Sequence, residues 1–253
     1  MKIIISPAKK MVTDDGLAWK ALPVFLEQTQ ALKERLQSLS YEEAKALWKC
    51  SDSIAKQNYA RFSQMELRQN LTPAILSYEG IQYQYMAPGV LPQDCLDYIQ
   101  EHLRILSGFY GVLRPFDGVT PYRLEMQAKL AIGGSEDLYG FWGDRLCRKI
   151  LEEDRVILNL ASQEYARCVS PFLKPGDRFV TCVFGERKDG KVIQKGTFAK
   201  MARGEMVRFL AETKARQPED AKAFQRLGFR YHEELSRETE FVFLKEETGA
   251  EGL

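Results

Sequence analysis

Short apolar runs alternate with longer stretches of helical periodicity in this chain, and this alternation constrains its fold more than any other feature. The first run, Lys2–Ile5, is followed by Ser6-Pro7, where a helix cannot simply continue. Similar runs predict further strands at Ala74–Tyr78, Val156–Leu160, Arg178–Val183 and in EFVFLKEE near the C terminus. We expect Lys2–Ile5 to lie inside the sheet.

The intervening stretches carry apolar residues at helical spacing. They predict helices at Val24–Leu36, Tyr41–Trp48, Ser53–Leu67, Pro92–Leu106 and Leu138–Leu151, one starting at Ser162, and one capped by Thr197. The tyrosine-rich GIQYQYMAPG is predicted to be a loop, and Asp189-Gly190 a hairpin turn. No internal repeat or linker interrupts the pattern. The sequence therefore predicts one α/β domain over residues 1–253, a mixed sheet flanked by helices, with a polar tail from about residue 246.

Composition limits the classes of function. The formal net charge is +1, so any site for a polyanion has to be a local patch. No apolar run approaches the roughly 20 residues that cross a bilayer, and no signal peptide is visible, so we expect a cytoplasmic protein without a membrane partner. The five cysteines stand far apart and are expected to be reduced thiols. With only two histidines, neither near a second ligand, we predict no metal site and no cofactor.

The segment Leu103–Met126 crowds three glycines, two prolines and three arginines into a short run. One interpretation is a helix C-cap at Gly108 followed by a tight turn. The other is the wall of a cleft in which backbone shape and charge both matter. In the second interpretation the polar side chains that line the cleft are Tyr110, Arg114, Tyr122 and Arg123.

Other polar residues follow predicted strands. Lys9 and Lys10 lie just beyond Lys2–Ile5, where α/β proteins tend to place ligands, although such a pair is usually solvated. Lys200 and Arg203 stand one helical turn apart and can face one anion, or simply solvent. Ser162 begins a predicted helix and is expected to cap it, and Glu164 is close behind.

Six phrases, in the same order along nearly the whole chain, resemble the YaaA peroxide-stress protein family: SPAKK, LRILSGFYGVLRPFDGVTPYRLEM, LYGFWGDRL, LNLASQEYA, KMARGEM and LGFRYHEELS. The resemblance implies a bacterial cytoplasmic protein that keeps unincorporated iron low and so limits oxidative DNA damage. It also implies an α/β fold in which a helix-hairpin-helix element lies beside a positively charged cleft, and binding of double-stranded DNA.

Transferred to this chain, the helix-hairpin-helix element occupies about residues 92–126. Its first helix is Pro92–Leu106, its hairpin is Gly108–Gly111, and its second helix continues from Val112. The glycines would let the backbone approach phosphate oxygens. Here two residues separate the glycines, where the usual hairpin has one.

Two classes of function follow. The first is sequence-independent binding of double-stranded or distorted DNA through ten residues: Lys9, Lys10, Gly108, Tyr110, Gly111, Arg114, Tyr122, Arg123, Lys200 and Arg203. The second is an enzyme acting on a nucleotide or another small anion in the same cleft. In that alternative Glu125 or Glu164 accepts a proton, Arg123 clamps the charge, and Tyr165 is a weaker catalytic candidate.

Overall fold

Residues 1–246 are described by a computed structural model. Its strands are β1 (Lys2–Ile5), β2 (Lys10–Met11), β3 (Thr72–Pro73), β4 (Tyr78–Glu79), β5 (Leu103–Ser107), β6 (Gly111–Leu113), β7 (Gly118–Val119), β8 (Val156–Asn159), β9 (Arg178–Lys188), β10 (Lys191–Ile193), β11 (Phe229–Tyr231) and β12 (Glu240–Lys245). Its α-helices are α1 (Leu26–Gln37), α2 (Tyr41–Trp48), α3 (Asp52–Ser63), α4 (Ala74–Ser77), α5 (Ile81–Met86), α6 (Gln93–His102), α7 (Leu138–Trp142), α8 (Arg145–Leu151), α9 (Gln163–Ala166) and α10 (Gly196–Thr213). Short 3₁₀ helices lie at Pro88–Val90, Ser170–Phe172, Pro218–Ala223 and Glu233–Leu235.

The strand β1 lies at the centre of the main sheet, as the sequence predicted. It pairs in parallel with β5 on one side and with β8 on the other. All four of its residues are buried. A central parallel strand that is covered on both faces is rich in apolar residues, which explains its three isoleucines. The buried Lys2 at its start pairs with Glu153 at 3.1 Å.

The order of strands in the main sheet is β11-β12-β9-β8-β1-β5-β6, and β10 pairs with β9 outside this row. The central strands β12, β9, β8, β1 and β5 are parallel, whereas β6, β10 and β11 pair antiparallel. After β1 the chain returns to the sheet at β5, and after β8 it returns at β9 on the opposite side. The carboxyl ends of β1 and β8 therefore flank a topological switch point, where open α/β sheets form their ligand crevice.

The predicted mixed α/β sheet is confirmed. The helix Tyr41–Trp48 forms as predicted, with a capping box in which Ser40 and Glu43 bond each other's backbone N–H. The turn Asp189-Gly190 joins β9 to β10, and both residues have positive φ, 51° and 74°. All five cysteines are free thiols, and only Cys50 is not buried.

The segment predicted as helix-hairpin-helix instead forms a helix followed by a β-hairpin. The helix α6 ends at His102, and β5 and β6 then pair antiparallel. Every residue of β5 is buried between neighbouring strands. The residues LRILS suit a helix or a strand equally, so pairing with the distant β1 decided between them.

Four local predictions are also corrected. Ala74–Tyr78 is mostly the short helix α4, because the N–H groups of Ala74 and Ile75 bond to carbonyls of the 115–117 segment rather than to a strand. The predicted loop GIQYQYMAPG contains the helix α5, which ends where Ala87 adopts a left-handed conformation.

The predicted helix Leu138–Leu151 is divided into α7 and α8 at Gly143, whose φ is 52°. The helix α10 starts at Gly196 without the predicted Thr197 cap. The predicted polar tail falls almost entirely in residues 247–253, outside the described residues.

Candidate functional site

A cavity of about 500 Å³ opens at the switch point. Five parts of the chain form its walls: the loop after β1, the start of α5, the 122–125 segment, the start of α9, and α10. We call this cavity the cleft. Its lining includes nine of the predicted site residues, namely Lys9, Lys10, Tyr122, Arg123, Glu125, Glu164, Tyr165, Lys200 and Arg203.

Two serines join the strand ends at the base of the cleft. The hydroxyl oxygen of Ser6 accepts a hydrogen bond from the backbone N–H of Ser162 at 2.8 Å and donates its proton to Ser162 Oγ at 3.1 Å. Ser162 does not cap α9 with its side chain, which corrects the prediction that it would. Because Ser6 already donates across this pair, the proton of the Ser162 hydroxyl is available to a group in the cleft.

Arg203 presents to the cleft a guanidinium that has no counter-ion in the described part of the chain. Its Nε is buried and has no hydrogen-bond partner among residues 1–246. Neither Arg203 nor Lys200, one turn away on α10, forms an ion pair within the part of the chain that the structure describes. Burial lowers the pKa of the Arg203 guanidinium, and an arginine stays charged at neutral pH nonetheless. A partly buried charge of this kind is costly unless an anion meets it.

The other arginine of the cleft is already paired. Glu125 accepts from Arg123 Nη2 at 3.1 Å and contacts Lys9 Nζ at 2.8 Å. Arg123 is only 11% exposed, whereas the Lys9 side chain is 65% exposed. Lys10 pairs with Glu79 at 2.8 Å. Glu125 thus pairs with two of the five cations that line the cleft.

The close approach of α10 to α5 positions Arg203. A Cβ at Gly204 would lie 2.1 Å from the carbonyl oxygen of Gln82, so only glycine allows this contact. Gln82 itself is 6% exposed, lines the cleft, and has a buried Nε2 without a partner in residues 1–246. The sequence does not single out Gln82, because the segment GIQYQYMAPG that contains it is predicted to be a loop and forms the helix α5 instead. The glycine in KMARGEM could have indicated the close contact.

Glu164 is the carboxyl group best suited to exchange a proton in the cleft. Its Oε1 accepts from the Gln127 N–H at 3.2 Å. Burial raises the pKa of Glu164, and the nearby Glu125 charge adds to the increase. Burial also raises the pKa of Tyr165 far above its usual value, so its phenol stays protonated at neutral pH.

Tyrosine rings form the apolar floor of the cleft. Tyr83 donates its hydroxyl proton to the Ser6 carbonyl at 3.0 Å, and Tyr122 shares hydrogen bonds with Ser107 and Tyr78. Because these hydroxyls are satisfied within the protein, Tyr83 and Tyr122 offer mainly ring surface to the cleft.

Comparison with known proteins assigns the chain to a family. The family model described as peroxide stress protein YaaA matches residues 1–235. This chain belongs to that family. It is 59% identical over 249 residues to a UPF0246 protein of Lachnoclostridium phytofermentans, covering 98% of each chain. It is 56% identical over 246 residues to a UPF0246 protein of Desulfitobacterium hafniense, covering 97% of this chain and 98% of the relative.

Four of the predicted site residues lie away from the cleft. Gly108 and Tyr110 are buried in the turn between β5 and β6, and Gly111 is the buried first residue of β6. A Cβ at Gly108 would lie 2.6 Å from the Leu124 carbonyl, and one at Gly111 would lie 2.9 Å from Trp142. Packing therefore explains these glycines, and their predicted approach to phosphate is corrected.

Arg114 lies at the opposite edge of the sheet. It pairs with Glu153 at 3.2 Å, beside Lys2 at the start of β1. The antiparallel strand β6 carries the chain away from the cleft edge and so leaves Arg114 there.

Within residues 1–246, no helix combines the length and hydrophobicity needed to span a membrane. No group of three or more His, Cys, Asp or Glu side chains is placed to hold a metal ion in that range.

Proposed function

We propose that this peroxide stress protein binds a small anionic ligand in the cleft, and that this binding supports its role in peroxide protection. The main support for this proposal is the position of the Arg203 guanidinium, which lines the cavity at the switch point and has no counter-ion from residues 1–246. Lys200 adds a second cation from the same helix that forms no ion pair within residues 1–246. An anionic ligand would supply the negative charge that residues 1–246 do not place beside these two cations.

The dimensions of the cleft agree with a small ligand. Its volume of about 500 Å³ falls within the roughly 300–1,000 Å³ that is usual for small-molecule sites. The site is also equipped for acid–base chemistry, because Glu164 combines a raised pKa with a place in the lining. We therefore favour an enzyme in which Glu164 accepts or returns a proton and Arg203 holds the anion.

The test replaces Arg203 by methionine. Arg208 lies on the same helix but pairs with Glu212 at 2.8 Å, so Arg208→Met is the matched control. Binding of a panel of phosphate, carboxylate and sulfate compounds is measured by calorimetry and thermal shift. We expect Arg203→Met to weaken anion binding about tenfold or more and Arg208→Met to leave it unchanged. Equal binding by the parent and Arg203→Met would refute the proposal.

The cellular readout is survival in hydrogen peroxide together with unincorporated iron, measured by electron paramagnetic resonance. Limiting that iron, and with it oxidative DNA damage, is the part of the proposed role that rests on the family. Cells that carry Arg203→Met in place of the parent should survive less well and contain more unincorporated iron. Cells with Arg208→Met should match the parent. Full protection by Arg203→Met would separate the cleft from this role.

Sequence-independent DNA binding is the second candidate, and the exposed lysines favour it. The side chains of Lys9 and Lys10 are 65% and 70% exposed at the mouth of the cleft, and Lys200 is exposed beside them. In this mode of binding, the DNA phosphates would contact lysines at the mouth of the cleft rather than the glycines at positions 108 and 111. Each of Lys9→Ala, Lys10→Ala and Lys200→Ala should flatten the plot of log affinity against log salt by up to about one unit.

Arg114→Ala is the control for DNA binding, because Arg114 lies at the far edge of the sheet. It should leave both affinity and salt slope unchanged. Titrations against duplex, junction and single-stranded DNA compare the four variants. Parent-like slopes for all three lysine variants would exclude DNA from the cleft mouth.

A further inference from the structure

We propose that the anion bound in the cleft is a phosphomonoester attached to a planar ring, with the size of a nucleoside monophosphate. This inference rests on the proposed function of the cleft and names the class of ligand. The hydrogen-bond donors of α10 and of the Ser6–Ser162 pair favour a phosphate group. The tyrosines of the floor favour a planar ring.

The unpaired charge favours a dianion. Lys200 and Arg203 line the cleft and have no ion-pair partner among residues 1–246, so together they offer two positive charges. A phosphomonoester carries about −1.5 to −2 charge at neutral pH, whereas a carboxylate carries −1. Glu125 already neutralises Lys9 and Arg123 in part, and Lys10 pairs with Glu79, so the α10 pair is the cationic element of the cleft that no carboxylate among residues 1–246 neutralises.

The number of available donors favours a group with several oxygens. Neither the Nη groups of Arg203 nor its buried Nε forms a hydrogen bond within the described residues. The Ser162 hydroxyl has a proton to donate, since Ser6 supplies the proton that joins the pair. The Lys200 ammonium completes the set. The three terminal oxygens of a phosphomonoester can accept from a guanidinium, an ammonium and a hydroxyl at once.

The rest of the cleft suits a flat, apolar body. Tyr83, Tyr122 and Tyr165 are all buried to at least nine-tenths, yet they border the cleft. Their edges and faces can pack against a ring, a contact that contributes substantially to nucleic-acid base binding. Gln82, with its unpartnered amide nitrogen, and Glu164 place polar groups beside this floor. A heterocycle with both donors and acceptors would match them better than a hydrocarbon ring.

Calorimetry with defined compounds tests the inference. The probes are AMP, GMP, CMP and UMP, the corresponding nucleosides, ribose 5-phosphate, inorganic phosphate, citrate, benzoate and a 5′-phosphorylated single-stranded oligonucleotide. We expect at least one monophosphate to bind about tenfold or more tightly than its nucleoside and than ribose 5-phosphate. Lys200→Gln and Arg203→Met should each reduce that affinity about tenfold, whereas Arg208→Met should not. Affinity should also fall as pH drops below the second phosphate pKa near 6.

The alternatives have different consequences. Binding of citrate or benzoate without any monophosphate would overturn the ligand class while the proposed function survives. Binding of inorganic phosphate as tightly as AMP would remove the role of the ring. Binding of the oligonucleotide alone would assign the cleft to nucleic acid. Absence of binding for every anion would refute both the ligand class and the proposed function.

Discussion

Replacing Gly204 by alanine tests whether the contact between α10 and α5 builds the cleft. The added Cβ would lie 2.1 Å from the Gln82 carbonyl oxygen, and side-chain carbons almost never approach another atom within 3.0 Å. The two helices therefore have to separate by about 0.9 Å, the difference between these distances. Such overpacking costs about 3 kcal/mol, from which the better helix propensity of alanine removes about 1 kcal/mol.

We therefore expect Gly204→Ala to lower the free energy of unfolding by about 2 kcal/mol, a fall in Tm of roughly 4–8 °C. The displacement of Arg203 should also weaken ligand binding, since errors of about 1 Å are enough to disrupt a positioned group. Gly196→Ala is the control, because a Cβ at this residue of the same helix meets no atom within 4 Å. Urea denaturation and calorimetry measure both effects. An unchanged Tm and parent-like binding in Gly204→Ala would refute this account of the cleft.

Two other substitutions are expected to increase a measured property, stability for Asp117→Asn and affinity for anions for Glu125→Gln. Burial raises the pKa of Asp117 to about 6, above its value of about 3.9 in the unfolded chain. Between pH 4 and 6 the folded chain therefore binds more protons than the unfolded chain does. Its free energy of unfolding falls by about 3 kcal/mol as pH rises through that window. Asp117→Asn should abolish this slope and be more stable than the parent at pH 7 in urea titrations; a parent-like slope would contradict it. Glu125→Gln should instead tighten anion binding several-fold in calorimetry, because it releases Lys9 and Arg123 from their shared carboxylate. Weaker anion binding would show that Glu125 contacts the ligand favourably.

The sequence could predict those parts of the fold whose structure depends mainly on their own residues and not on distant contacts. The three isoleucines of β1 fit its cover on both faces, and no other element suits so short a buried apolar run. The Asp189-Gly190 turn was equally predictable, since both residues tolerate positive φ. The position of Lys9 followed directly from the place of β1 in the sheet.

The segment Leu103–Met126 could not be predicted in the same way, because distant partners determine its course. Pairing with β1 makes Leu103–Ser107 a strand, and the turn at Gly108 is then buried beneath the 124–126 backbone. Because β6 runs antiparallel to β5, the chain places Arg114 far from the cleft. It then returns to the cleft, which Arg123 lines. Residue type alone does not distinguish these two arginines.

Ion pairing within the protein does distinguish the cations. Arg114 and Arg123 each contact a carboxylate, whereas Arg203 contacts none among residues 1–246, and its partial burial makes that isolation costly. If the arginine served stability alone, an apolar side chain of similar length would serve better. Arg203→Met should therefore raise the Tm of the ligand-free protein even as it removes anion binding, a trade of stability for function that is common at binding sites. A lower Tm in Arg203→Met, with anion binding intact, would instead make the guanidinium a structural element of the α10–α5 contact.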